Sequence, residues 1–151
     1  MVEASSIYVG EHVRSVDAKA RVALPAKWRF GTEQDRVYLA LPNPSGCITI
    51  YPPSMVEKLS LKAAEISLGD DVGQKILTKL FSKADQLTCD SQGRVQINKF
   101  LLTHADLQRD AVVVGNFVTF SIWNPGRYEK YIGSESGKGD ETNKILTKLG
   151  L

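Results

Sequence analysis

Val16-Asp17-Ala18-Lys19-Ala20-Arg21-Val22-Ala23-Leu24 and Cys89-Asp90-Ser91-Gln92-Gly93-Arg94-Val95-Gln96-Ile97 lie 73 positions apart, and the second stretch retraces the first. Asp, Arg and Val coincide, and the closing aliphatic matches in type. At the same offset Tyr8 faces Phe81. With small shifts in offset, Val37-Tyr38-Leu39 parallels Val112-Val113-Val114, and Ile50-Tyr51-Pro52-Pro53 parallels Ile122-Trp123-Asn124-Pro125. Glu57-Lys58 then parallels Glu129-Lys130. One such match is within reach of chance, but several in the same order mark an internal repeat. The chain reads as two tandem copies of a module of about 45 residues, starting near Gly10 and Lys83.

Within each copy the pattern is that of strands. His12–Val16 alternates, Asp17–Ala20 forms a four-residue link, and Arg21–Leu24 alternates again, which is the arithmetic of a hairpin. Asp opens the turn, and in the second copy Gly93 closes it where a positive φ is usual. Ala20 holds that place in the first copy. A matching turn there costs Ala about 1 kcal/mol. A short helical piece is expected after each hairpin, over Pro25–Phe30 and Asn98–His104. Two further strands follow in each copy: Arg36–Leu41 with Cys47–Tyr51, and Ala111–Gly115 with Val118–Trp123. Asn43-Pro44-Ser45-Gly46 and Gly115-Asn116 supply the turns.

Between the copies the pattern turns helical. Ser54 to Glu57 has the form of a capping box after two prolines, and Val56, Leu59, Ala63 and Ile66 make an amphipathic stripe. Leu68-Gly69-Asp70 interrupts it, and a second helix is expected from about Asp71 to Phe81, with Asp70-Asp71 at its N-terminus. The segment Lys75-Ile76-Leu77-Thr78-Lys79-Leu80 recurs unchanged as Lys144 to Leu149, so the C-terminal tail reads as the second copy's spacer helix. Gly133 to Asp140, rich in Gly and Ser, reads as a flexible linker. The fold class is therefore α+β, mainly β. The division is a first module at 9–54, a helical spacer at 55–81, a second module at 82–128, and a linker with a C-terminal helix at 129–151.

Composition narrows the function classes. The 151 residues are 42% hydrophobic and 24% charged, with a formal net charge of +2. A domain of this size hides roughly 70% of its unfolded surface without disulfides or metals. Two cysteines, Cys47 and Cys89, form neither a disulfide framework nor a metal-ligand spacing. No apolar run approaches the roughly 18 residues of a spanning helix, and the N-terminal stretch lacks the apolar core of a signal peptide. A reducing, cytoplasmic compartment is expected. Neither histidine, His12 or His104, has a nucleophile spaced for it, and both are read as structural. Cys89, whose counterpart is Val16, is read as a core residue, and the Tyr51/Trp123 pair likewise. No phosphate loop, metal cluster or cofactor motif is present, and an enzyme is not expected.

The repeated Asp-x-x-x-Arg admits two readings. In the local one, Asp17 and Asp90 accept turn N–H groups and pair with Arg21 and Arg94, exposed contacts worth about 0–1 kcal/mol. In the other, the same Asp holds a rigid loop that presents Arg to a phosphate or a guanine edge. Charge distribution favours the second. Between Arg14 and Arg29, the cations Arg14, Lys19, Arg21, Lys27 and Arg29 face Asp17 alone, a local +4. From Leu87 to Leu102, Arg94 and Lys99 face Asp90, a local +1. The positive charge is collected on one hairpin and the short helix behind it, the footprint of a nucleic-acid surface.

These residues resemble the MraZ family of bacterial regulators of the division and cell-wall gene cluster. The resemblance is carried by Gly10-Glu11-His12, by Asp17-Ala18-Lys19-Ala20-Arg21 followed by Leu24-Pro25-Ala26-Lys27-Trp28-Arg29, by Tyr51-Pro52, by Asp90-Ser91-Gln92-Gly93-Arg94 and by Ile122-Trp123. It covers roughly Tyr8 to Tyr131. It implies two AbrB-like swapped-hairpin modules about an intramolecular pseudo-twofold, assembled as a ring-shaped homo-oligomer. It also implies binding to repeated short boxes of double-stranded DNA upstream of the chain's own operon, repression of that operon, and a cytoplasmic, nucleoid-associated protein. No cofactor, membrane or small-molecule substrate is implied. Carried over by position, Arg21 and Arg94 are the motif arginines and Lys19 is the basic residue inside the first motif. Arg14, Lys27 and Arg29 are further DNA-contact candidates, and Asp17, Asp90 and Gly93 structure the loops. Three positions depart from the family pattern: Ala20 for Gly, Asn98 for Pro, and Gln92 for a basic residue. The second copy is accordingly expected to contact DNA more weakly or to serve the fold. The alternative from a different class is an oligomeric protein-interaction scaffold without specific DNA binding.

Overall fold

Each Asp-x-x-x-Arg stretch closes on itself. The Asp17 N–H donates to Arg21 O at 3.1 Å and the Ala20 N–H to Asp17 O at 3.0 Å, while Asp90 to Arg94 and Gly93 to Asp90 repeat the pair at 2.9 and 3.0 Å. The computed structural model in which these contacts are seen describes residues 7–29, 37–134 and 139–151. The turns match the expectation, and Ala20 sits at φ 60° where Gly93 sits at φ 78°. The arms do not stay together as a simple hairpin. Strand β1 (Glu11–Ser15) and strand β2 (Arg21–Ala23) form no ladder with each other, and the backbone pairs across the turn at the isolated bridge Val16–Val22.

Both arms instead find partners in the other copy. The strands β3 (Tyr38–Asn43), β4 (Cys47–Tyr51), β5 (Asp85–Leu87), β6 (Arg94–Gln96), β7 (Asp110–Gly115) and β8 (Phe120–Trp123) are the others among the described residues. Six of them form an antiparallel sheet in the order β1-β7-β8-β4-β3-β5, and β2 pairs with β6 in a separate ribbon. β1 and β5, β3 and β7, and β4 and β8 hold matching places in the two copies. The order is therefore the same read from either edge, and each copy's first strand is paired in the other copy. The reason lies in burial: Val22 and Val95, at the centre of the three-residue ribbon, are fully buried and pair with each other, and a lone short ribbon cannot hold such residues without a covering layer.

That layer is the sheet. Ile48 and Ile50 point inward with Thr49 between them half-buried, the period of two expected of a one-sided strand. Tyr8, Trp28, Tyr38 and Phe120 interlock beneath it. The Trp28–Phe120 centroids lie 5.0 Å apart, and Tyr8 meets Trp28 edge-on at 5.5 Å. The Tyr8/Phe81 match does not carry into the fold. Tyr8 is buried and bridges to Phe117, whereas Phe81 is an exposed helix terminus.

The helices follow their end signals. In helix α1 (Pro53–Ala64) the residue preceding the helix is Pro52 and no side chain caps it. The expected Ser54 capping box is corrected accordingly, because Pro53 at the first position starts the turn with φ already set and no N–H to satisfy. Helix α2 (Asp71–Phe81) is capped by Asp70, whose carboxylate accepts the Gly73 N–H at 2.9 Å. Helix α3 (Lys99–Ala105) is capped by Asn98, which accepts the Leu101 N–H at 2.9 Å, and α3 buries Leu101 and Ala105. Among the described residues, a single 3-10 turn, Ala26–Trp28, occupies the matching place in the first copy. Helix α4 (Pro125–Gly133), capped by Asn124, was not expected from the sequence. Helix α5 (Gly139–Leu149) contains the repeated Lys-Ile-Leu-Thr-Lys-Leu segment. Gly133 ends α4 and Gly139 and Asp140 begin α5, so these three residues of the linker expected over 133–140 are helical, and residues 135–138 lie outside the described residues. Phe30 and Arg36, which bound two expected elements, and the N-terminal residues 1–6 lie outside them too. Among the described residues, no helix is long and apolar enough to cross a membrane.

Candidate nucleic-acid interface

The two loops are built alike. Asp17 Oδ1 accepts the Lys19 and Arg21 N–H groups, each at 2.9 Å, and its Oδ2 accepts Arg21 Nε at 2.7 Å. Asp90 accepts the Gln92 and Arg94 N–H groups and Arg94 Nε, all at 2.9 Å. β2 and β6 lie antiparallel, so the two loops flank opposite ends of the short ribbon and their Asp and Arg side chains interleave across it. Arg94 Nη1 stands 3.6 Å from Asp17 Oδ2, and Arg21 Nη1 stands 4.0 Å from Asp90 Oδ2. Two carboxylates and two guanidinium groups thus form one clasp between the copies. The Arg21 N–H holds the Asp17 carboxyl below its usual range, with help from the Arg21 side chain and the Lys19 N–H and against some loss of hydration. The Arg94 N–H does the same for Asp90.

Around the clasp the remaining cations have different duties. Arg14 Nε donates to Ala23 O at 3.1 Å and its Nη1 to Val13 O at 2.9 Å, which ties β1 to β2. Arg29 Nε donates to Leu24 O at 2.8 Å, and its side chain lies across Gly93 so closely that a Cβ there would collide with it. Lys19 and Lys27 are exposed, and among the described residues their ammonium groups make no ion pair. The structure thus brings Arg21 and Arg94 together, sets Lys19 beside them, and gives Arg14 and Arg29 backbone partners of their own.

Gln96, Asn98 and Lys99, which sequence reasoning did not assign to the site, join this set. A groove of about 670 Å³ beside the clasp is lined by Arg21, Asp90, Arg94, Gln96, Asn98 and Lys99. Gln96 stands opposite Arg21 across the β2–β6 ribbon, whereas Arg94 stands opposite Ala23. That register joins residues 75 positions apart in the chain, and no local spacing signals it.

The remaining reactive groups serve the fold. Cys47 is buried, its thiol pushed up to about 11 by loss of hydration. Cys89 packs half-buried against the core, and burial raises its thiol as well. The ring of His12 meets Trp28 edge-on at 5.0 Å, and His104 Nε2 lies 2.7 Å from Asn43 O. Trp123 is buried and Tyr51 is half-buried at the ends of their strands.

Comparison with known proteins fits this architecture. The family model described as "MraZ protein, putative antitoxin-like" matches residues 80–145. The transcriptional regulator MraZ of Rickettsia felis is 33% identical over 132 residues, which covers 85% of this chain and 89% of the relative. That of Pediococcus pentosaceus is 30% identical over 145 residues, covering 96% of this chain and the whole of the relative. The chain belongs to the MraZ family. Within this MraZ chain the family model takes in the second clasp loop, α3 and α4. The alignments with the relatives extend over most of the chain, and the family is one of transcriptional regulators rather than of enzymes.

Proposed function

We propose that this MraZ chain is a sequence-specific DNA-binding regulator that represses its own operon, a cytoplasmic protein found on the nucleoid. The observation that carries this reading is the clasp. It fixes the two loops, one at each end of the three-residue β2–β6 ribbon, and leaves Lys19 and Lys27 free of ion pairs among the described residues. Arg21, Arg94 and Lys19 are the proposed DNA contacts, and Arg14, Lys27 and Arg29 secondary ones, while Asp17, Asp90 and Gly93 hold the loops. Each guanidinium spends its Nε on its own Asp, so the Nη groups are what it can offer to a phosphate or base edge. The exchange of first strands between the copies supports an arrangement of tandem AbrB-like swapped-hairpin modules about an internal twofold. Apolar faces left open on α2 (Val72, Ile76, Leu80) and α5 (Ile145, Leu149) support assembly into a ring that displays many loops. Many weak contacts then act together on repeated boxes, which is how a chain of net charge +2 holds DNA.

The same open faces favour the alternative of a scaffold without specific DNA binding, and one titration separates the two. A duplex from immediately upstream of the chain's own reading frame is shifted by the native protein, and Arg21→Ala weakens the shift while the mass in solution stays the same. A duplex not shifted at any salt concentration leaves the scaffold reading in place. Unchanged affinity in Arg21→Ala removes that residue from the interface.

A further inference from the structure

The two loops differ in how they are held. In the second, Gly93 takes its φ of 78° without strain; in the first, Ala20 takes φ 60°, a conformation unfavourable for a residue with a Cβ. The backbone ties are symmetric: Ile97 N–H donates to Ala20 O at 2.8 Å, and Leu24 N–H to Gly93 O at 2.9 Å. One tie is not. Gln96 Nε2 donates to Lys19 O at 3.1 Å. A carbonyl oxygen only accepts, so the amide nitrogen, not its oxygen, faces it. The matching side chain in the first copy is the Ala23 methyl, which can donate nothing, and among the described residues no side chain reaches Gln92 O. The strained, basic loop is the one with the additional clamp, and the clamp comes from the other copy.

We infer that Gln96 is a positioning residue for DNA recognition: it holds the Lys19 carbonyl so that the loop carrying Lys19 and Arg21 is ordered before DNA arrives. This rests on the DNA-binding reading above. A loop that must be ordered on contact lowers affinity by the cost of ordering it, and Gln96 removes that cost in the first copy alone. The asymmetry also gives a physical ground for unequal use of the two loops, beyond the difference in charge.

Two measurements on Gln96→Ala test it. Amide hydrogen exchange without DNA reads the clamp directly, since the Lys19 and Ala20 N–H groups are both bonded to Asp17. These amides exchange about threefold to tenfold faster in the variant, the range of one net hydrogen bond, while residues 90–93 keep their native rates. Affinity for the upstream duplex falls by a similar factor, and adding Ala20→Gly, which relieves the strain, restores part of it. Gln92→Ala, at the position in the second loop that matches Lys19, changes neither quantity. Unchanged exchange at Lys19 and Ala20 overturns the clamp whatever happens with DNA. Faster exchange with unchanged affinity overturns its role in recognition. A native protein that shows normal loop protection but never binds DNA overturns the functional reading instead, and the positioning role with it.

Discussion

Gly93→Ala is the sharpest probe of how the loops are built. Gly93 lies at φ 78°, and a Cβ added there meets the side chain of Arg29. The left-handed conformation costs Ala about 1–2 kcal/mol, while the stiffer unfolded chain returns about 0.4–1 kcal/mol. Arg29 must also move, which endangers its 2.8 Å bond to Leu24 O, about 0.5–1.5 kcal/mol if lost. The expected net loss is about 1.5 kcal/mol, equal to about 3–6 °C in Tm for a chain of this length. Urea unfolding at fixed protein concentration, followed by the fluorescence of buried Trp28, measures it. A lower midpoint at unchanged slope is the expected result. The counterpart, Ala20→Gly, removes a strain of about 1–2 kcal/mol at an entropic cost of about 0.4–1 kcal/mol, so it is expected to be neutral or stabilising. A Gly93→Ala protein as stable as the native one would refute the argument from loop geometry.

Two further outcomes test the neighbouring structure. Asn98→Ala removes the side chain that caps α3 and is expected to lower stability by about 1 kcal/mol, seen as a shifted urea midpoint. The Arg21 and Arg94 N–H groups hold the carboxyls of Asp17 and Asp90 below the ordinary aspartate value of about 3.9 in the folded chain. Their contribution is therefore fully present above that value and is lost as pH falls below it through the folded pKa. Unfolding midpoints of native protein and Asp17→Asn, well separated near neutral pH, are expected to converge as the pH falls below about 4.

Much of this fold is legible because its decisive signals are local. Asp17 and Asp90 announce their turns, Asp70 and Asn98 stand where caps must stand, and the alternation of Ile48 and Ile50 marks a half-buried strand. What cannot be read locally is which strand meets which. His12–Val16 and Arg21–Leu24 have the spacing of a hairpin, yet β1 pairs with β7 and β2 with β6, because the partners that bury Val22 and Val95 come from opposite copies. The β2–β6 register is also what brings Arg21, Asp90 and Gln96 together, so the clasp and its clamp were beyond the sequence even though both Asp-x-x-x-Arg motifs were plain in it. The missed helix α4 did have a signal. Asn124-Pro125 matches Pro52-Pro53 at the start of α1, and Glu129-Lys130 matches Glu57-Lys58 within it.

The central claim is that the clasped loops meet DNA phosphates with cations such as Lys19. Its most direct test is the affinity for the upstream duplex, measured by anisotropy across salt concentrations for native protein and Lys19→Ala. Each phosphate neutralised contributes about −0.9 to the slope of log K against log salt. The native slope is expected to be steep and that of Lys19→Ala to be shallower by about 0.9 for every first-copy loop engaged. A slope near zero, or one that Lys19→Ala leaves unchanged, would contradict the account.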